Sequence, residues 1–206
     1  MPRSPLLPRR LVALVAIALA VGCRSASTDF PYDRERDRDR GRWGDRIVVD
    51  AGVLPALWLR VDRDDDAAAS DEVDTMGPGY SARLGLGNTD QSIGILYHGA
   101  FTEEDDGEAE IDLHAIYLDF DASIPIEPDP GLMFVHAAAG VGLVHLDSPD
   151  TTLDTTTGAV NLRLQLEVRP TSALHFFIGA GGFAFGHPGE SNAYGTFADL
   201  GLRLSF

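Results

Sequence analysis

The last nine residues, Ala198-Asp199-Leu200-Gly201-Leu202-Arg203-Leu204-Ser205-Phe206, alternate without a slip. Every second residue is apolar, and the series closes on an aromatic. Side chains on an extended backbone point alternately to opposite faces, so this run makes a strand with one oily face and one polar face. Outside an apolar run near the N-terminus, no helical period of useful length competes with it.

Eight strand-like segments follow from Ile47 onward, at 47–61, 80–87, 92–102, 109–124, 132–146, 158–169, 174–186 and 193–206. Turn signals separate them, and the connections alternate in length. Short ones fall at Asn88-Thr89-Asp90-Gln91, Pro125 to Gly131 and Pro170-Thr171-Ser172. Longer or more acidic ones fall at 62–79, 103–108, 147–157 and 187–192. In an up-and-down barrel every second connection lies at the same end, so the alternation predicts an all-β, eight-stranded antiparallel barrel. Pro55 interrupts the first strand, and a closed barrel has no free edge to excuse its missing hydrogen bond. A bulge or break is expected there.

Period two does not say which face is inside. A soluble barrel would bury Val160, Leu162, Leu164, Leu166 and Val168, and a membrane barrel inverts this. Three features favour inversion. The terminal strand with its final Phe206 resembles the C-terminal signal of bacterial outer-membrane β-barrels, which the assembly machinery of that family reads; here it comprises Leu200, Leu202, Leu204 and Phe206. Short turns at one end and long loops at the other fit the same architecture. Aromatics form two belts, with Tyr117, Phe120, Phe134, Phe176, Phe177 and Phe206 towards the turn end. Trp58, Tyr80, Phe101, Phe183, Phe185, Tyr194 and Phe197 make the other belt, and two such belts match two membrane interfaces. Residues 47–206 thus resemble the small barrels of the OmpA transmembrane domain, OmpX and OmpW type. The resemblance implies outer-membrane lipid and lipopolysaccharide as surroundings. It includes no catalytic or ligand motif.

The N-terminus predicts export. Arg3, Arg9 and Arg10 precede the 11-residue apolar run Leu11 to Val21, too short to span a bilayer as a helix. Ala20-Val21-Gly22-Cys23 then resembles a lipobox, in which Cys23 becomes the lipidated first residue. Simple cleavage after Ala18-Leu19-Ala20 is the other reading. Residues 1–22 are read as the signal, 23–46 as a tether of alternating Arg and acid, and 47–206 as the barrel. Cys23 is the one cysteine, which excludes an intrachain disulfide. Residues 47–206 carry 26 Asp and Glu against 6 Arg, a net of −20, and such a surface repels nucleic acid.

Eight strands leave a lumen just wide enough to be filled by side chains. Asp50, Arg83, Asp112, Arg163, Glu167, Asp199 and Arg203 take inward positions on the inferred strands. They predict a paired charge network that blocks free diffusion. No cofactor and no metal is expected. His98 and His114 flank the 103–108 loop, but spacing fixes no third ligand. His145-Leu146-Asp147-Ser148 puts His near Ser, yet the His-x-Ser spacing of lipid A deacylases is missing, so no catalytic residue is assigned. The acidic loops Asp64-Asp65-Asp66, Asp71-Glu72 and Glu103-Glu104-Asp105-Asp106 lack a defined coordination pattern and read as solvated. Ala137-Ala138-Ala139-Gly140 and Gly179-Ala180-Gly181-Gly182 either make room for bulky lumen side chains or line a small apolar pocket. The expected role is a non-enzymatic envelope protein. The alternatives are a barrel that binds or takes up a small hydrophobic molecule, and a periplasmic lipoprotein with a soluble barrel.

Overall fold

The computed structural model describes residues 44, 46–62, 72–88, 90–104, 110–126, 133–148, 155–171, 173–186 and 192–206. The signal, the tether, Cys23 and most of the acidic loops lie outside the described residues.

Eight antiparallel strands close into one barrel. They are β1 (Arg46–Asp62), β2 (Glu72–Gly87), β3 (Gln91–Glu104), β4 (Glu110–Pro125), β5 (Met133–Asp147), β6 (Thr155–Val168), β7 (Leu174–Gly186) and β8 (Asn192–Ser205). Each pairs with its sequence neighbours, and β8 closes on β1 through register pairs such as Asp50↔Arg203. Ile47 and Phe206 complete the seam by exchanging backbone hydrogen bonds at 3.1 and 2.9 Å.

The short connections are built by their own side chains. Asn88 Oδ1 accepts from the Asp90 and Gln91 amides at 2.9 and 2.8 Å. Thr171 Oγ1 accepts from the Leu174 amide at 2.9 Å. Such side-chain turns satisfy backbone donors that the ladder cannot reach. These turns and both ends of the barrel share one rim, the turn end; the other rim is the loop end.

The strands run to 13–17 residues, and β1, β2, β3 and β6 are longer than the sequence pattern indicates. At about 3.3 Å per residue and about 45° of tilt they rise roughly 30–40 Å, beyond an apolar band of about 25 Å. Residues 72–79, read as part of the long acidic connection 62–79, extend β2 and pair with β1 as Arg60↔Asp74 and Leu59↔Thr75. A ladder whose partner strand continues overrides poor strand propensity.

Pro55 sits in a bulge. Leu54 pairs with Gly79 and Leu57 with Gly77, so Pro55 and Ala56 on β1 stand against Pro78 alone on β2. The same extra residue appears against β8, between Val53↔Leu200 and Leu57↔Phe197. Pro55 and Ala56 both face outward, and the inward parity changes from Asp50 and Leu54 to Leu57, Leu59 and Val61. Without the extra residue, Trp58 and Arg60 would enter the lumen.

The barrel is inverted relative to a soluble one. Leu84, Ile95, Ile116, Leu118, Leu143, Leu164, Ile178, Leu200 and Leu202 all lie exposed on the outer wall. The aromatic belts are thinner than the sequence indicates. Tyr80, Phe101, Phe176, Tyr194 and Phe206 face outward, whereas Tyr117, Phe134, Phe177, Phe183, Phe185 and Phe197 are buried in the lumen. Position along a strand was legible, but the face depends on parity, which the aromatics alone do not reveal.

Leu164 is 60% exposed and stands mid-strand beside buried Gln165. Arg in its place should cost about 2–4 kcal/mol of folding free energy in a bilayer. Nitroxide labels at Leu164 and Leu200 should contact acyl chains rather than water, and water contact at both would reject the inverted barrel.

Candidate functional site in the barrel lumen

The lumen divides into a charged half at the turn end and an apolar half at the loop end. Both follow from alternation, which sends one residue in two inward from every strand.

Arg203 on β8 organises the charged half. Its guanidinium grips Asp50 on β1 as a fork, at 2.8 Å from Nε and 2.9 Å from Nη2. The same Nη2 donates to Asp121 on β4 at 3.0 Å, and Nη1 to Glu167 on β6 at 3.2 Å. One cation thus ties carboxylates from three other strands. Planar guanidinium with five donors suits this task. A second centre is Asp119, which accepts from Arg83 Nε at 2.7 Å and Arg163 Nη2 at 2.8 Å through a single oxygen. Asp199 is held by neutral donors, Gln165 at 2.6 Å and Ser81 at 3.5 Å.

Two imidazoles complete the network. His136 stands between Asp121 and Glu167, at 3.2 and 2.9 Å, and His175 Nδ1 lies 3.2 Å from Glu167. Arg169, just past β6, closes the turn end. It donates to Glu167 and to Ser123 Oγ, the latter at 3.0 Å, and its guanidinium lies 3.5 Å from the centre of the Phe134 ring. Cation–π contact adds to hydrogen bonding when the cation is shielded from water.

Six of the seven residues assigned to the lumen, Asp50, Arg83, Arg163, Glu167, Asp199 and Arg203, meet in this network. Asp112 does not. Inward positions on β4 are Ile111, Leu113, Ala115, Tyr117, Asp119 and Asp121, so Asp112 has the opposite parity and stands half-buried on the outer wall. Asp119, Asp121, His136, Arg169 and His175 were missed. Asp119 and Asp121 carry the signal that would have found them, since they alternate with outward Leu118 and Phe120 on the same strand. Leu200, Leu202, Leu204 and Phe206 face outward, the last at 68% exposure.

The apolar half holds Leu54, Leu57, Leu59, Leu96, Ile111, Leu113, Leu146, Phe183, Phe185 and Phe197, all buried. Phe183 stacks with Phe185 and Phe197 at centroid separations of 6.1 and 6.3 Å. Small residues make the space. A Cβ on Gly195 would approach the Phe183 ring to 2.4 Å, and one on Gly201 would approach Phe177 to 2.5 Å. Gly181 lies equally close to Phe197. Gly181 of β7 and Gly195 and Gly201 of β8 therefore admit bulky aromatics. His98 is buried here against Phe197, at 4.8 Å, and Tyr117, at 5.7 Å.

The histidine pairs that the sequence puts forward do not come together. His98 points inward while His114 faces outward opposite Gly99, so the two do not meet across their hairpin. His145 and Ser148 also face opposite sides of the wall. Among the described residues no three His, Cys, Asp or Glu are grouped to hold a metal ion.

No protein-family model and no curated protein matches this sequence. Solved structures do. Neisserial surface protein A (NspA) superposes with a TM-score of 0.53 at 12% identity, over 78% of this chain and 97% of that one. OprG from Pseudomonas aeruginosa gives 0.46 at 9% identity over 81% and 98%, and Ail of Yersinia pestis 0.43 at 12% over 78% and 98%. The chain has the fold of the small eight-stranded outer-membrane barrels.

Removing Arg203 leaves Asp50 and Asp121 without their main partner, and breaking a buried ion pair from one side costs about 3–5 kcal/mol. Arg163→Ala should cost less, because Asp119 keeps Arg83. Urea unfolding of both variants in lipid vesicles checks the order, and equal losses would show that Arg203 is not the hub.

Proposed function

We propose that this protein is a non-enzymatic component of the bacterial outer membrane whose lumen is plugged and whose outer loops are acidic. The observation that carries this reading is the Arg203 centre, which draws side chains from β1, β4 and β6 across the barrel axis. An ion crossing the lumen would have to break these pairs and then pass between fully buried Leu54, Leu57, Leu59 and Leu113. Both steps are costly. Outside, the apolar wall suits lipid acyl chains, with lipopolysaccharide around the loop end. The strand ending at Phe206 is the segment proposed to meet the barrel-assembly machinery. Export through the N-terminal signal, with Cys23 lipidated ahead of the Arg- and acid-rich tether, completes the proposal.

Planar-bilayer recording of the purified, refolded protein tests the plug. No step-like conductance is expected. Stable steps from the wild type would overturn the reading.

One observation favours uptake of small hydrophobic molecules as a second reading. The apolar half of the lumen lies level with the bulge at Leu54–Leu57, where the ladders to β2 and β8 both slip. Buried His98 offers two ring nitrogens there without a hydrogen-bond partner among the described residues. Titration of the labelled protein in micelles with a small aromatic solute separates the readings by NMR. Saturable shifts confined to His98, Phe183 and Phe197 would favour uptake. The plugged lumen predicts none.

A further inference from the structure

On the outer wall, β4 and β5 set two histidines opposite each other and, two residues along, two aspartates. His114 is the register partner of His145, and Asp112 of Asp147. Directly opposed residues on antiparallel strands have Cβ atoms about 4.5–5.5 Å apart, and next neighbours on one face lie within about 7–8 Å. His114, His145 and Asp112 are half-buried and Asp147 is exposed, so all four are reachable from outside. Below them the same face is apolar, with Ile116, Leu118, Val141 and Leu143. The pairs therefore sit where the apolar belt gives way to the loop end.

Each imidazole is already oriented through Nδ1. His114 Nδ1 lies 2.7 Å from the Tyr97 hydroxyl, and His145 Nδ1 lies 3.0 Å from the Thr156 hydroxyl. When Nδ1–H donates to those oxygens, the lone pair of Nε2 is left on the outer side of each ring. A metal-binding His is held in this way, one nitrogen fixed by a neighbour and the other given to the ion. The Asp112–Asp147 pair supplies a further reason for a cation, because like charges directly opposed across a ladder repel.

We propose that His114 and His145 form a surface site for a divalent transition ion such as Zn²⁺, Cu²⁺ or Ni²⁺. Imidazole selects these ions, whereas carboxylates alone suit Mg²⁺ or Ca²⁺. No third donor of the described residues is grouped with the pair, so the site is open. Water, or a carboxylate of Asp112 or Asp147 after side-chain rotation, fills the remaining positions. Tyr97 and Thr156 are positioning residues.

The test uses the full chain, purified in detergent, with Cu²⁺ and Zn²⁺ as probes. Retention of heat-modifiability on a gel shows that each variant is folded, and both His are on the surface. The wild type should take up one ion per barrel, and the Cu²⁺ paramagnetic spectrum should show two imidazole nitrogens. His114→Ala or His145→Ala should leave one nitrogen. Tyr97→Phe should keep both nitrogens and weaken Zn²⁺ binding about tenfold. A wild type that binds neither ion overturns the proposal. So does binding that survives unchanged in the double variant H114A/H145A.

Discussion

Everything in this barrel depends on pairing charge inside a wall that turns its oil outward. A soluble barrel buries leucine and leaves arginine in water. Here Leu164, Leu200 and Leu202 lie on the outer wall while Arg163, Asp199 and Arg203, next to them in sequence, are buried. A guanidinium so enclosed is tolerable only if its desolvation is offset by well-placed carboxylates. Arg203 meets that condition through Asp50, Asp121 and Glu167, contributed by strands far apart in the chain. The network therefore joins β1, β4, β6 and β8 across the axis. Backbone ladders join only neighbours.

The split between charged and apolar halves has a steric origin. Eight strands enclose a space that side chains can fill, but only if large residues face small ones. At the turn end the charged Arg and His network lies beside Phe134 and Phe177, and at the loop end Phe and Leu surround His98. Gly181, Gly195 and Gly201 sit under aromatic rings and set where those rings can lie. The bulge at Pro55 is part of the same fit. By shifting parity, it places Leu57, Leu59 and Val61 inward at the loop end and keeps Arg60, which lies 3.9 Å from Asp74, on the outside.

Much of this was legible in the sequence because period two survives translation into structure residue by residue. The strand count, the turns at Asn88 and Thr171, and the irregularity at Pro55 all follow from local rules. Two things did not follow. Parity on a strand cannot be read where both faces are mixed, so Asp112 was placed inward when Asp119 and Asp121 are the inward acids. Cross-strand register also exceeds local reading, since it depends on how far each strand slides along its neighbour. His114 meets His145 and not His98 for this reason. Phe183 and Phe197 were assigned to membrane belts on position alone, though their neighbours Ala184 and Ala198 are the residues that face out.

The distribution of arginine links lumen and surface. Of the 6 Arg after residue 46, four are Arg83, Arg163, Arg169 and Arg203, and all four are committed to the lumen or its turn-end closure. The chain there carries 26 acids, of which Asp50, Asp119, Asp121, Glu167 and Asp199 are the lumen partners. The rest of the barrel is therefore strongly acidic, with Arg60 the one described cation left on the outer wall. A surface of this sign repels lipid phosphates unless cations come from solution. Filling the lumen with arginine thus has a consequence outside it. The paired Asp112 and Asp147 beside His114 and His145 are where the outer wall presents acids and imidazoles side by side, and an ion drawn by the general negative field finds directional donors there.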